Sequence, residues 1–207
     1  TVNAAYAAAI LTGLASGNVT LQTTNTAVNT TGVAAGGTTN ASGNGDIFVN
    51  SGITWTSANS LTLDAYRGVT VNAAMSGTNL SVLTNNGGTG GRFAANAAVD
   101  LSAGLNINGT SYTMITSAAQ LAGISASGAY ALGRNLTLTS AWTPLGFGGT
   151  LEGLGHRISG LSINQPGNNN IGLFSSIGSM GSISNLGIVG AAVTGGSSSS
   201  VTNVSGL

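Results

Sequence analysis

Triplets of the form apolar–x–apolar, bounded by glycine, asparagine or serine, return along this chain from end to end. In the first half they are Val19-Thr20-Leu21, Ile47-Phe48-Val49, Leu61-Thr62-Leu63, Val69-Thr70-Val71, Leu80-Ser81-Val82, Val99-Asp100-Leu101 and Leu105-Asn106-Ile107. In the second half they are Leu136-Thr137-Leu138, Leu161-Ser162-Ile163, Ile171-Gly172-Leu173 and Leu186-Gly187-Ile188. Extended backbone sends successive side chains to opposite faces, so each triplet offers two aliphatic groups to one side. A strand this short buries little by itself, and the pattern must be repeated and stacked before it makes a core. The densest stretch is Phe147 to Ile163, where closely spaced glycines lead into Ile158, Leu161 and Ile163.

A sandwich, a barrel and a solenoid all accept short alternating strands. A sandwich wants longer strands and buried aromatics, and aromatic residues are only 5% of this chain. A solenoid fits better, because its strands pair with those of the coils above and below at about 4.8 Å and its interior is a narrow aliphatic column. At roughly 20–25 residues per coil the chain makes roughly eight to ten coils, a rod of about 40–50 Å. The fold class expected is therefore all-β, a parallel β-helix.

Two segments depart from the strand pattern. Asn3 to Leu14 is alanine-rich and places Ile10, Leu11 and Leu14 on one helical face, with Gly13 and Gly17 near its end. That pattern predicts a short amino-terminal helix. Thr116 to Leu121 predicts one helical turn after a strand at Tyr112–Ile115. Asn25 to Gly45 is low-complexity and reads as a polar strand and loops on the flank. The texture changes near residue 110. Residues 1–110 carry generic rungs and residues 111–207 a more specific pattern, as two stretches of one continuous solenoid.

Charge excludes several functions. Charged residues are 4% of the chain and lysine is absent. The cations are Arg67, Arg92, Arg134 and Arg157, and the acids are Asp46, Asp64, Asp100 and Glu152. No basic patch for nucleic acid can be assembled from these. No run of about 18 apolar residues exists, so no membrane insertion is expected. Ala4 to Leu11 is apolar but short and lacks a basic flank, which argues against a signal peptide. Cysteine is absent, which removes disulfides, thiolate metal sites and cysteine nucleophiles together. Disorder calls for low hydrophobicity and high charge, whereas 42% of these residues are hydrophobic.

The second half carries a more particular texture: Tyr112 to Leu121, Tyr130 to Leu138, Trp142-Thr143-Pro144-Leu145-Gly146, then Phe147 to Ile163. It resembles the GLUG-repeat region of filamentous-haemagglutinin-like adhesins, giant bacterial exoproteins exported by two-partner secretion. Gly45 to Asn50 and Asn59 to Ala65 are similar to the β-helix rungs of the same proteins. The segment Gly172-Leu173-Phe174-Ser175 departs from the family core by a serine in the last place. The resemblance implies a right-handed parallel β-helix that is secreted or displayed on the cell surface. It implies a structural or adhesive role in attachment, extracellular matrix or biofilm. Its expected partners are a host-cell or matrix surface, glycan or protein, and further coils or copies of the same chain. The chain begins and ends in mid-pattern and reads as an excerpt of a longer rod.

Candidate chemistry is sparse. Alternation would set Glu152 and His156 on one face as a general acid/base pair or half a metal site, against a plainer reading as turn and surface residues. Asp46, Asp64 and Asp100 with Arg67 and Arg92 suggest the acid clusters and arginine base of β-helical pectate lyases, and a carbohydrate-active lyase is the alternative function. Gly43 to Ile47 partly matches one copy of a calcium β-roll nonapeptide, a motif that works in tandem. Thr-x-Thr pairs at Thr54, Thr56, Thr137 and Thr139 are too irregular for a surface-binding ladder. Seven Asn-x-Ser/Thr sequons stand at Asn18, Asn29, Asn40, Asn79, Asn108, Asn135 and Asn203, about as many as this composition produces by chance. Trp55, Trp142, Tyr66 and Tyr130 are candidate sugar platforms or structural packing. Asn85 to Gly88 and Asn168 to Asn170 read as loops or asparagine stacks. The reading is non-enzymatic, with no catalytic, cofactor-binding or metal-binding residue assigned and no cofactor.

Overall fold

The computed structural model describes residues 1–23, 28–31 and 44–196, the backbone alone for 28–31. The fold is mostly β, with mainly parallel sheets. The chain divides into two compact units, Thr1–Met114 and Ile115–Leu207.

In the first unit the chain visits the same places in the same order. The opening pass runs from Val2 through helix α1 (Ala4–Ser16) to strand β1 (Val19–Thr23), on which β2 (Val28–Thr31) folds back antiparallel. The second pass makes β3 (Ile47–Val49), β4 (Ile53–Thr54) and β5 (Ser60–Asp64). The third makes β6 (Val69–Val71) and the long β7 (Met75–Leu83), and the fourth β8 (Phe93–Ala95) and β9 (Val99–Ile107). A register shift between Gly77 and Asn79 lets β7 serve two ladders with its two halves.

The registers bring like against like. Ile47, Val69 and Phe93 stand side by side, as do Ile53, Met75 and Val99. Val19, Leu61, Leu80 and Leu105 form the longest row. Apart from Phe93, these side chains are at most 2% exposed, so stacking fills the interior with aliphatic groups. A slip of one residue would turn the whole aliphatic set outward, and this fixes the register.

Helix α1 stands in the chain order where β4 stands one pass later, and it packs against β4. Asn3 caps it by accepting from the Tyr6 N–H at 3.0 Å. At the other end the Leu14 carbonyl accepts from Ser57 Oγ at 2.6 Å and Asn59 Nδ2 at 2.7 Å. The helix expected at Asn3–Leu14 is present but runs on through Gly13 to Ser16. Its buried face is Ala7, Ile10 and Leu14, with Leu11 only half-buried. Leu11 directly follows Ile10, about 100° around the helix, and so points off the buried stripe.

After β9 the chain reverses. β10 (Thr110–Ile115) pairs antiparallel with β9, Thr110 opposite Ile107. The reversal sits on Asn108 (φ +50°) and Gly109 (φ +89°), two left-handed residues as a type I′ hairpin turn requires. Leu105-Asn106-Ile107 thus leads into a hairpin rather than directly into another parallel strand.

The second unit holds α2 (Ala118–Ala122), as expected for Thr116–Leu121. Ser117 caps it by accepting from the Gln120 N–H, and Leu121 anchors it with no exposed surface. Then come β11 (Ala129–Leu132), β12 (Leu136–Thr137), β13 (Leu145–Phe147), β14 (Thr150–Glu152), β15 (Arg157–Ser159) and β16 (Ser162–Asn164). The last four are β17 (Phe174–Ile177), β18 (Ser182–Ser184), β19 (Gly187–Val189) and β20 (Ala192–Thr194). Within this unit β11, β14 and β18 are parallel neighbours, as are β12, β15 and β19. β13 lies beside β17, and β16 beside β20. Ile158, Leu161 and Ile163 are at most 2% exposed, as the alternation predicted.

Ile171-Gly172-Leu173, expected as a strand, is not one, and the strand begins at Phe174. Ile171 and Leu173 are nevertheless buried at 3% and 0%, which is why their alternation read as a rung. Of the expected Asn25–Gly45 segment, 28–31 is a strand, 44 and 45 are loop, and the rest lies outside the described residues.

Candidate functional site

Glu152 and His156 bracket a tight turn at 153–155. The Glu152 carboxylate accepts from the Leu154 N–H at 2.9 Å, Asn185 Nδ2 at 2.9 Å and Ser184 Oγ at 2.6 Å. It thereby ties its own turn to the following pass. Leu154 is left-handed (φ +54°), a conformation that costs a non-glycine residue about 1–2 kcal/mol. Burial of its side chain to 1% exposure and the bond from Glu152 offset that cost. His156 follows the turn, donates its N–H to the Gly153 carbonyl at 2.8 Å and is only 5% exposed. His156, expected as a turn residue, closes the turn with its N–H and faces inward, while Glu152 stays half-exposed. The strict alternation that would put both on one face is broken by the left-handed residues between them.

Asp46 is held by Arg67. Arg67 Nε donates to its two carboxylate oxygens at 2.9 and 3.2 Å, and Nη2 forms the ion pair with Oδ2. The Gly68 N–H donates at 2.9 Å. The hydrogen bond from Arg67 pulls the Asp46 pKa below its usual 3.8, opposed by partial burial. The same pairing raises Arg67. Asp64, 7% exposed, accepts from Gln22 Nε2 and Asn86 Nδ2, both at 2.7 Å. Asp100 stands on β9 in register with Ser76. Among the described residues no three His, Cys, Asp or Glu side chains gather as a metal site would require. The four carboxylates therefore do not form a lyase-like cluster there. Of the β-roll match, Gly43 lies outside the described residues, and the Asp46 carboxylate already holds Arg67 and Gly68.

The aromatic candidates are committed to packing. Trp55 is 6% exposed, lies over Gly77 and donates Nε1–H to the Asn59 carbonyl at 3.0 Å. Trp142 is 7% exposed and donates to the Leu173 carbonyl at 2.9 Å. Tyr66 rests on Gly87 and Gly88, where a side chain would collide with its ring. The Tyr130 hydroxyl accepts from the Ser125 N–H at 2.8 Å, and its ring leans on Phe147, which in turn stacks on Phe174 with centroids 4.8 Å apart.

Several sequon asparagines join neighbouring passes. Asn18 Oδ1 accepts from the Ser60 N–H at 2.8 Å and Asn135 Oδ1 from the Arg157 N–H at 3.0 Å. Asn108 takes the Thr84 N–H at 2.8 Å and returns its Nδ2–H to Thr84 Oγ1 at 2.9 Å. The side chains of Asn29, Asn40 and Asn203 lie outside the described residues. Asn85 is a loop residue as expected, bound both ways to Gly91, and Asn168 bonds Gln165.

The feature that reading by triplets missed is an asparagine ladder. Asn72 Nδ2 donates to Asn50 Oδ1 and Asn96 Nδ2 to Asn72 Oδ1, each at 2.8 Å and across 22 and 24 residues of sequence. Each asparagine directly follows a strand, as Val49-Asn50, Val71-Asn72 and Ala95-Asn96. The signal was one residue beyond the triplets Ile47-Phe48-Val49 and Val69-Thr70-Val71, while the strand before Asn96 carried no such triplet.

No family model and no solved structure matches the chain. A stretch of 49 residues, 24% of the chain, is 51% identical to Halomucin of Haloquadratum walsbyi. That stretch is 0% of Halomucin's own length to the nearest percent, so the chain spans a minute part of this relative. No helix among the described residues is long and apolar enough to cross a membrane.

Proposed function

We propose that this chain is a structural and adhesive segment of a secreted or surface-displayed bacterial exoprotein of the filamentous-haemagglutinin type. Its successive passes are the coils of a right-handed parallel β-helix. The observation that carries the reading is the repeated order of the first unit, in which each pass returns to the same ladders in parallel register. Polar ladders such as Asn50–Asn72–Asn96 support it, because identical groups one strand spacing apart are what coiling produces. The non-enzymatic side of the reading is supported by the carboxylates of Asp46, Asp64 and Glu152, each tied to neighbouring passes. A rod of this kind displays surface or adhesive sites without chemistry of its own.

Solution scattering on the purified chain tests the architecture, with a particle clearly longer than wide as the expected result. Coating beads with the chain and scoring their retention on epithelial cells and on extracellular matrix tests adhesion. A compact sphere in scattering, or release of unsaturated oligosaccharides from polyuronates, would overturn the proposal.

A further inference from the structure

Asparagine followed by glycine occurs three times in this chain, at Asn44-Gly45, Asn86-Gly87 and Asn108-Gly109. The side-chain carbonyl carbon of an asparagine lies within reach of the next backbone nitrogen, and a glycine there has no side chain to crowd the approach. The three pairs share one chemical liability, and the fold treats them differently.

Asn108 and Gly109 are held from both sides. The Asn108 amide accepts from the Thr84 N–H at 2.8 Å and donates to Thr84 Oγ1 at 2.9 Å, and the Gly109 N–H donates to Asn106 Oδ1 at 2.9 Å. Asn86 is held as well. Its Nδ2 donates to the buried Asp64 carboxylate at 2.7 Å, and the Gly87 N–H donates to the Asn85 carbonyl at 2.8 Å. The Tyr66 ring also covers Gly87. In both pairs the amide and the backbone nitrogen are committed, so attack requires local opening first.

Asn44 is exposed, on the loop before β3. Among the described residues no hydrogen bond holds its amide or the Gly45 N–H. Gly45 is left-handed at φ +74°, and it is anchored through its carbonyl, which accepts from Thr23 Oγ1 at 2.6 Å and from the Arg67 N–H at 3.4 Å.

We infer that Asn44 is a site of spontaneous deamidation, and that the fold shields Asn86 and Asn108 from the same reaction. The Gly45 backbone nitrogen gives its proton to solvent and bonds to Asn44 Cγ, closing a five-membered imide. The Cγ–Nδ2 bond breaks and ammonia leaves. Water then opens the ring at either carbonyl, giving aspartate or isoaspartate, so that one amide and one water become one carboxylate and one ammonium ion. The new carboxylate stands two residues before Asp46, whose partner is Arg67. The isoaspartyl product also lengthens the backbone by a methylene directly before Gly45, where the loop is tied to Thr23 and Arg67. The modification therefore acts on a join between neighbouring passes.

The chain lacks lysine, and cleavage after Arg67, Arg92 and Arg134 puts Asn44, Asn86 and Asn108 on three separate peptides. The test is to incubate the purified chain for several weeks in mildly alkaline buffer, folded and in urea, and to locate the lost amides by tandem mass spectrometry of tryptic digests. In the folded chain Asn44 is expected to convert at least about tenfold faster than Asn86 or Asn108, since each of those must first give up two or more hydrogen bonds. In urea the three rates should converge. Conversion of Asn44 in the folded chain no faster than at the other two sites would overturn the inference. So would the same order of rates in urea, which would place the selectivity in local sequence rather than in the fold. Asn44→Ser, at an exposed position, should remove the acidic species that builds up on anion exchange. Its appearance at an unchanged rate in that variant would equally overturn the assignment.

Discussion

At the scale of single residues, this protein is governed by where side chains are missing and where the few charges are spent. Gly77 lies against the Trp55 indole so closely that a Cβ would come within 2.2 Å of its ring atoms. Gly77→Ala must push Trp55 from its slot and strain the bond from its Nε1 to Asn59. The expected cost is about 1–3 kcal/mol by urea denaturation, with Trp55 emission shifted to the red. An alanine variant as stable as the parent would show that the slot yields freely. Asp46 makes a prediction in pH. Arg67 and Gly68 favour its ionised form, so its folded pKa lies below the usual 3.8. The stabilisation is then fully present above that value and is lost as pH falls through the folded pKa. Asp46→Asn should lower the melting temperature by about 2 °C near pH 7, a small figure because solvent reaches the pair. The gap between parent and variant should close as pH falls through the folded pKa, below 3.8. A gap that stays constant with pH would place the contribution of Asp46 elsewhere than in its charge.

At the scale of elements, the ladders decide what one pass contributes to the next. Asn72 makes two side-chain hydrogen bonds in its row, while Asn50 and Asn96 make one each within it. Asn72→Ala should therefore cost more than Asn50→Ala, about 1 kcal/mol against about half that, since exposed amide pairs fall at the low end of the hydrogen-bond range. Equal losses in chemical denaturation would mean that the row is not coupled. These elements were unevenly legible in the sequence. Aliphatic triplets such as Leu61-Thr62-Leu63 declared themselves, because period-two alternation of branched residues has one reading in a short strand. Phe93-Ala94-Ala95 and Ala192-Val193-Thr194 did not, because alanine marks no strand, and their place comes from pairing with a neighbour. The hairpin at Asn108-Gly109 was legible and passed over. Asn-Gly between alternating residues is a strong turn signal, but the expectation of another parallel rung absorbed it. His156 went the other way: its burial depends on Leu154 and Gly155 being left-handed, which no alternation rule foresees.

At the scale of the whole molecule, the scarcity of charge sets how stability responds to the medium. With four cations, four acids and zero net charge, long-range electrostatics has little to act on. Among the described residues Arg67 and Asp46 form an ion pair, and solvent reaches it. What holds the chain is aliphatic burial, as in the row Val19, Leu61, Leu80 and Leu105, together with backbone pairing and amide or hydroxyl bonds between passes. Sodium chloride screens charges and barely touches such terms, whereas sulfate is excluded from protein surface and strengthens burial. The melting temperature should thus move by less than about 2 °C between about 0.02 and 0.5 M sodium chloride. It should rise steadily in sodium sulfate at matched ionic strength, by several times that amount. Differential scanning calorimetry in the two salts separates the cases. A chloride response as large as the sulfate response would mean that charge contributes far more to this fold than its composition allows.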